Sequence, residues 1–490
     1  MSKKSSAEVR SGLDHPIVDG DGHWVEYHPV MVEALHDIGG DAAVDGYSGF
    51  GRMIGSNVSL TTAERRAKNL GHEAWWSVPT RNTRDRATSM MPSLLSERLG
   101  ELGLDFTILF PTQGLGIVNV GDEEARRVGC GAYNTFAAEY FAPYSREMTP
   151  AAVIPMFTPE EAIDELDHAV GELGMKATMF GSMIPRPVPD LVDRGSDAAA
   201  ETVWLDVLGL DSEHDYDPVW QRCIELGVAP SFHANGRGRG FGLRASPSNF
   251  SYNHIGHFAA ANEAVCKALF MGGVTRRFPD LRFVFLEGGV GWACQLFHDL
   301  IEHWEVRNLG ALDAVNPANL DYELLDELAQ KYGTAPMQAA VARRLSRPAN
   351  ESEGLVAGRP APDDFAACEI SDVDEFTELF VDPFWFGCEA EDQLAAWAFK
   401  AEHNALGARF SATLGSDIGH FDVTNMASVV AEAHELVDDG LMTDDDFADF
   451  SFGNTVRLVG GMNPSFFEGT NVEAEAASVL ELAKAENTAR

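Results

Sequence analysis

The chain has 490 residues, enough for one large α/β barrel with insertions or for two or three ordinary domains. Hydrophobic residues make up 45% of it, so a full core can be buried. A formal net charge of −40 argues against nucleic acid and anionic membrane surfaces as partners, and no stretch approaches the roughly 18 apolar residues that span a bilayer.

The opening MSKKSSAEVRSG carries two lysines with no apolar run behind it, which is not the pattern of a signal peptide. The six cysteines (130, 223, 266, 294, 368 and 388) are scattered without a C-x-x-C pair. They read as free thiols in a reducing compartment, and a cytoplasmic location is the expectation. Short apolar runs then alternate with helix-like segments. They lie at Pro16–Val18, Asp105–Pro111, Ala151–Met156, Met175–Phe180, Val228–Phe232 and Leu281–Leu286, with two further candidates at Leu379–Phe386 and Phe410–Leu414. Eight strands interleaved with helices predict an α/β fold of the (β/α)8 TIM-barrel type. Helix punctuation agrees. Thr158-Pro159-Glu160-Glu161 offers a capping hydroxyl, an early proline and a carboxylate at capping-box spacing; Asp217-Pro218 repeats the device, and Gly227 ends that helix.

Two stretches break the alternation. Residues 40–90 are rich in Gly, Arg and Thr and carry Trp75-Trp76; they predict a long loop or subdomain after the first strand. Residues 306–372 hold helical patterns and then a polar segment, Ser346 to Asp364, expected to be partly mobile. The whole is expected to be a single barrel domain over residues 14–470, with those two insertions and a tail, 471–490, that is helical or frayed.

The first strand ends in VDGDGHW. Side chains alternate along a strand, so Asp21 and His23 share one side and can grip one ion together. The fifth run ends in PSFHANG with His233, the sixth in FVFLEGG with Glu287, and the eighth in TLGSDIGH with Asp417 and His420. Barrel active sites collect at these C-terminal strand ends. A carboxylate set among apolar residues, as Glu287 is, must be paired, metal-bound or protonated.

The segments IVDGDGHW, PSFHANG, RRFPDLRFVFLEGG, TLGSDIGH and FGNTVRL, spread over residues 17–458, resemble the amidohydrolase superfamily, in the branch that includes aminocarboxymuconate-semialdehyde decarboxylase. The resemblance implies a catalytic divalent metal and a homodimer. It implies Asp21 and His23 as paired first-strand ligands, His233 as the fifth-strand ligand, and Asp417 as the aspartate that binds metal and handles the water's proton. Two departures stand out. The family's first-strand pair is His-x-His, whereas here it is Asp21-x-His23, which favours a harder ion and makes iron or manganese credible beside zinc. Decarboxylase relatives carry histidine where this chain has Glu287, which points to a general base or a ligand to a second ion.

The predicted activity is therefore metal-dependent hydrolysis at a carbonyl (ester, thioester or C–C bond), with one or two ions per chain. Asp417 and Glu287 act as bases, and His420 or His254 holds the oxyanion. The alternatives are a metal-dependent non-oxidative decarboxylase and a non-catalytic ligand-binding barrel. His254 and His257 lie three apart and would share a helix face near the pocket, or serve as second-shell or surface residues. Arg237, Arg239 and Arg244 form a basic island without acidic residues from 234 to 262, which predicts an anionic substrate such as an organic acid or a coenzyme A thioester, or else a loop that pairs with acids elsewhere. Trp75, Trp76, Phe384, Trp385 and Phe386 are candidates for an aromatic pocket wall or for the core.

Overall fold

The computed structural model describes residues 4–72, 81–195, 202–233, 246–315, 319–345 and 363–489. Ten strands lie among them: β1 Val18–Trp24, β2 Phe106–Pro111, β3 Met148–Ile154, β4 Ala177–Gly181, β5 Ile184–Pro187, β6 Val203–Asp206, β7 Pro230–His233, β8 Phe283–Phe285, β9 Phe384–Glu389 and β10 Ser411–Gly415. Eight of them form one sheet in the order β1-β2-β3-β4-β7-β8-β9-β10, every neighbouring pair parallel. The seam is closed just beyond the strands. Asp417 N donates to Asp21 O at 2.9 Å and His23 N to Ile418 O at 3.0 Å, tying the first barrel strand to the chain leaving the last. The fold is the expected (β/α)8 barrel.

The strands read as apolar runs because both faces are covered. Register places Phe232, Phe285 and Phe386 side by side, with ring centroids 5.5 and 6.1 Å apart. Together with Phe283 and Phe384 they face the helical layer, where Trp220, Trp292 and Phe380 meet them. Phe384 and Phe386 are thus core, not pocket wall, and the buried Trp385 lies against Arg282 at 5.2 Å. Trp75 and Trp76 lie outside the described residues.

Some expectations need correction. The stretch after β1 is helical: a 31-residue helix, His28–Val58, bends at Gly40 and is followed by Thr62–Ala67 and Thr83–Met90. Its glycines let it lie close to the helix Glu123–Phe141, since a Cβ on Gly46 would stand 2.2 Å from Ala125 O. Packing against a neighbour overrides the poor helix propensity of glycine. The run at Leu379 begins as a helical turn, Thr377–Val381, and becomes strand only at Phe384. Thr158 caps its helix through Glu161 N, but the Glu161 carboxylate turns to buried Arg126 instead of completing a capping box. Asp217 opens its helix without capping it and binds Arg277. The hairpin β5–β6 is an addition that strand counting missed. The second insertion holds the helices Leu309–Leu312, Tyr322–Tyr332 and Ala335–Leu345; residues 346–362, part of the segment expected to be mobile, lie outside the described residues. The tail is the helix Glu473–Ala489.

Candidate active site

Four barrel strands deliver the chemistry to one end of the barrel. β1 carries Asp21 and His23, and β7 ends on His233. Glu287 stands just past β8, and Asp417 and His420 just past β10. Asp21, His23, His233 and Asp417 are all buried, and the Glu287 side chain is 3% exposed. Two overlapping donor groups result, Asp21–His23–His233–Glu287 and His23–Glu287–Asp417–His420, each with its donor atoms within 4.8 Å of one another.

Glu287 is central. Its Oε1 lies 3.3 Å from His23 Nε2, 3.3 Å from His233 Nε2 and 3.4 Å from His420 Nδ1. His23 Nε2 lies 3.6 Å from both Asp21 Oδ1 and Asp417 Oδ1, and 3.1 Å from His233 Nε2. The tautomer of His23 follows from its other nitrogen. Nδ1 is 3.0 Å from Pro111 O, a carbonyl that can only accept, so Nδ1 carries the hydrogen and Nε2 offers its lone pair to the site. The His420 ring stacks on His23 at 3.8 Å, and its Nε2 reaches Thr112 Oγ1 at 3.4 Å.

These residues fit a divalent metal ion. Metal–ligand bonds of ~2.0–2.2 Å place neighbouring donors of a four-coordinate ion ~3.3–3.6 Å apart, which matches the spacings above. Asp21 Oδ1, Glu287 Oε2, Asp417 Oδ1 and His233 Nδ1 are buried without a hydrogen-bond partner among the described residues. His420 Nδ1 sits 2.6 Å from Asp417 Oδ1 without hydrogen-bond alignment. Among the described residues, no lysine or arginine pairs with Asp21, Glu287 or Asp417. Three carboxylates so close together in a buried site must be met by a cation or by protons, and the imidazoles around them complete a ligand set for a cation.

The local electrostatics reflect this crowding. Burial and the adjacent Glu287 push the Asp21 and Asp417 carboxyls well above their usual range. Burial alone would raise Glu287 too, but His233 and the other imidazoles around it hold it well below. Burial, then the His420 and His233 rings, depress His23 to about 3, keeping it a neutral ligand. For His420, burial is outweighed by Glu287, Asp422 and Asp21, and its value rises.

Backbone strain is concentrated here. Glu287 stands at φ 57° and Asp417 at φ 48°, a left-handed region that costs a non-glycine residue on the order of 1–3 kcal/mol. Asn262, buried on the helix His257–Met271, braces the first of these turns by donating to Leu286 O at 2.8 Å. No local pattern in the sequence marks Asn262 or Thr112, because their partners are distant in the chain. Glu389, at the end of β9, is a further site carboxyl that sequence reasoning missed. Burial, then Glu287 and Asp422, push it up to about 8.

His254 and His257 do not join the donors. The His254 ring packs 5.5 Å from Phe258 and 5.6 Å from Phe421, and Phe258 in turn lies 6.4 Å from His233, so His254 belongs to an aromatic rim. His257 is buried at the start of its helix, 5.2 Å from Phe258. Arg237, Arg239 and Arg244 lie outside the described residues.

The family profile described as Amidohydrolase matches residues 78–334, just over half of the chain. The chain belongs to the amidohydrolase family. As a member of it, the protein is an enzyme, and both metal-dependent hydrolysis and decarboxylation fit that membership. An amidohydrolase from Mycobacterium avium subsp. paratuberculosis K-10 shares the fold, with a TM-score of 0.52 at 16% identity over 91% of this chain and 98% of the other. A 2,6-dihydroxybenzoate decarboxylase from Rhizobium superposes with a TM-score of 0.47 at 12% identity, covering 91% and 98%. A 5-carboxyvanillate decarboxylase from Novosphingobium aromaticivorans, complexed with manganese and 4-hydroxy-3-methoxy-5-nitrobenzoic acid, gives 0.45 at 12%, covering 91% and 96%. No curated protein matches the sequence. No helix among the described residues is long and apolar enough to cross a membrane.

Proposed function

We propose that this amidohydrolase cleaves a carbonyl-centred bond of a small anionic organic substrate by hydrolysis, with a divalent ion held by Asp21, His23, His233 and Glu287 and bordered by Asp417. The observation that carries the reading is the set of three carboxylates and three imidazoles, most of them buried, with which no lysine or arginine pairs among the described residues. The Asp21 departure favours manganese or iron beside zinc, and the second donor group around Asp417 and His420 leaves room for one or two ions. When bound, such an ion polarises a carbonyl and makes water acidic near neutral pH.

The chain's own residues do the rest. Asp417 takes the proton of the attacking water and returns it to the leaving group. His420, stacked on His23, presents its ring to the oxyanion. Thr112 fixes the far side of the His420 ring. Glu287 bridges the imidazoles. Arg237, Arg239 and Arg244 recognise the anionic group, of an organic acid or a coenzyme A thioester. The enzyme works as a cytoplasmic homodimer.

The test uses protein loaded with manganese or zinc, offered a panel of acyl thioesters, aryl esters and hydroxybenzoates in 18O-labelled water. Label in the acid product supports hydrolysis. Carbon dioxide release without label assigns the decarboxylase chemistry and overturns the hydrolytic reading. Asp417→Asn is expected to lower turnover by ~10²–10⁴-fold with metal retained; an active variant refutes its role.

A further inference from the structure

Asp19 lies one step deeper in β1 than the proposed ligands and is fully buried, yet it touches no donor position. Its carboxylate is saturated. Oδ1 accepts from Asp21 N at 3.2 Å and Ser416 N at 2.9 Å, while Oδ2 accepts from Thr107 Oγ1 at 2.7 Å and Ser416 Oγ at 2.6 Å. These bonds join three strands and both flanks of the barrel seam. Ser416 Oγ also accepts from Ile418 N at 3.3 Å, so the turn that places Asp417 at positive φ is pinned on both sides. Gly22 makes room for this clamp: a Cβ there would stand 2.5 Å from Asp19 Oδ2 and 2.8 Å from Thr107 Oγ1.

We propose that Asp19 is the positioning residue of the metal centre: through Ser416 and the Asp21 amide it sets the distance between the β1 ligands and Asp417, and so sets metal affinity. The inference rests on the metal-site reading above. A buried carboxylate with four short-range donors costs desolvation that a barrel seam does not need for closure alone, since the Asp417–Asp21 and His23–Ile418 backbone bonds already close it. An amide in its place keeps one acceptor oxygen and turns an NH2 toward donors, so one half of the clamp is lost.

The experiment measures cobalt(II) and manganese(II) affinity by competition with a chromophoric chelator, together with the cobalt visible spectrum, for the full chain, Asp19→Asn, Ser416→Ala and the double variant. Outer partners of a metal site typically contribute ~10–100-fold in affinity, so each single variant is expected to lose that much. The cobalt spectrum shifts, and the double variant loses no more than the stronger single one, because the two act as a unit. Unchanged affinity and spectrum in Asp19→Asn, or additive losses in the double variant, overturn the proposal. Should Asp19→Asn fail to fold, Ser416→Ala alone decides it by the same criteria. Failure of the unaltered protein to bind either metal instead refutes the metal site itself.

Discussion

Replacing Asp21 with asparagine should stabilise the metal-free protein and destabilise the loaded one. The donor atoms of Asp21 and Glu287 lie within 4.8 Å of each other in a buried site. At an effective dielectric of about 20, two like charges at that separation repel by about 3.5 kcal/mol. Burial, Glu287 and Asp19 raise the Asp21 carboxyl above its unfolded value of 3.8. For an acid raised on folding, stability is greatest below the unfolded value and is lost as pH climbs toward the folded one. An amide escapes that loss. At pH 8, metal-free Asp21→Asn is therefore expected to exceed metal-free wild type by up to ~3 kcal/mol. An unfolding entropy of about 2.1 cal/mol/K per residue gives about 1 kcal/mol/K for a chain of this length, hence a rise of ~3 °C in Tm. With manganese at a thousandfold excess over Kd, wild type gains about 4 kcal/mol by mass action, and the variant, short of one anionic ligand, gains far less. The order of the two melting points thus reverses on loading. Calorimetry on chelator-treated and reloaded protein reads it directly. A metal-free Asp21→Asn that melts below metal-free wild type would show that the carboxylates do not repel, and the argument for a cation would fall.

Other tests address the scaffold. Gly415→Ala places a Cβ 2.9 Å from the Asp21 Cβ, so it should cost ~1–3 kcal/mol by overpacking and weaken metal binding; unchanged affinity by chelator competition counts against the close seam. Arg98 is buried against Asp85 at 2.8 Å, and Asp85 also receives Met426 N, so Arg98→Ala should cost ~3–5 kcal/mol in denaturant unfolding. Burial raises Glu165, bonded to Asn134, from 4.5 to about 7. Its contribution is full below pH 4.5 and lost as pH rises through 7, so Glu165→Gln should remove that decline and gain on the order of 1–3 kcal/mol at pH 8; a parallel pH–stability curve refutes this.

All eight barrel strands were legible because parallel strands covered on both faces appear as continuous apolar runs such as FTILFP. The donors were legible for a related reason: each sits at the C-terminal end of such a run, where polar residues after apolar ones stand out. The helix His28–Val58 was hidden because its glycines argue locally for a loop, whereas their purpose is close approach to a helix eighty residues later. Asp19 showed itself in the motif, but its role did not, since its partners Thr107 and Ser416 lie far along the chain. Asn262 and Glu389 were silent for the same reason. For Phe384 and Phe386 the sequence left pocket wall and core open, and packing against the helical layer decides for core.

The seam has a consequence for how the protein is made. Asp19 and Ser416 are separated by 397 residues, and the donors are spread over four strands from the opening one to the closing one. At about 5–20 residues per second of synthesis, the carboxylates of the first strand wait roughly 20–80 s before the last strand emerges. During that interval the nascent chain lacks Ser416 and Asp417, so the contacts that space the first-strand donors are not yet made. Ring closure is thus the last step in shaping the site, and a ribosome-bound chain truncated before the last strand should hold the ion less tightly than the finished enzyme.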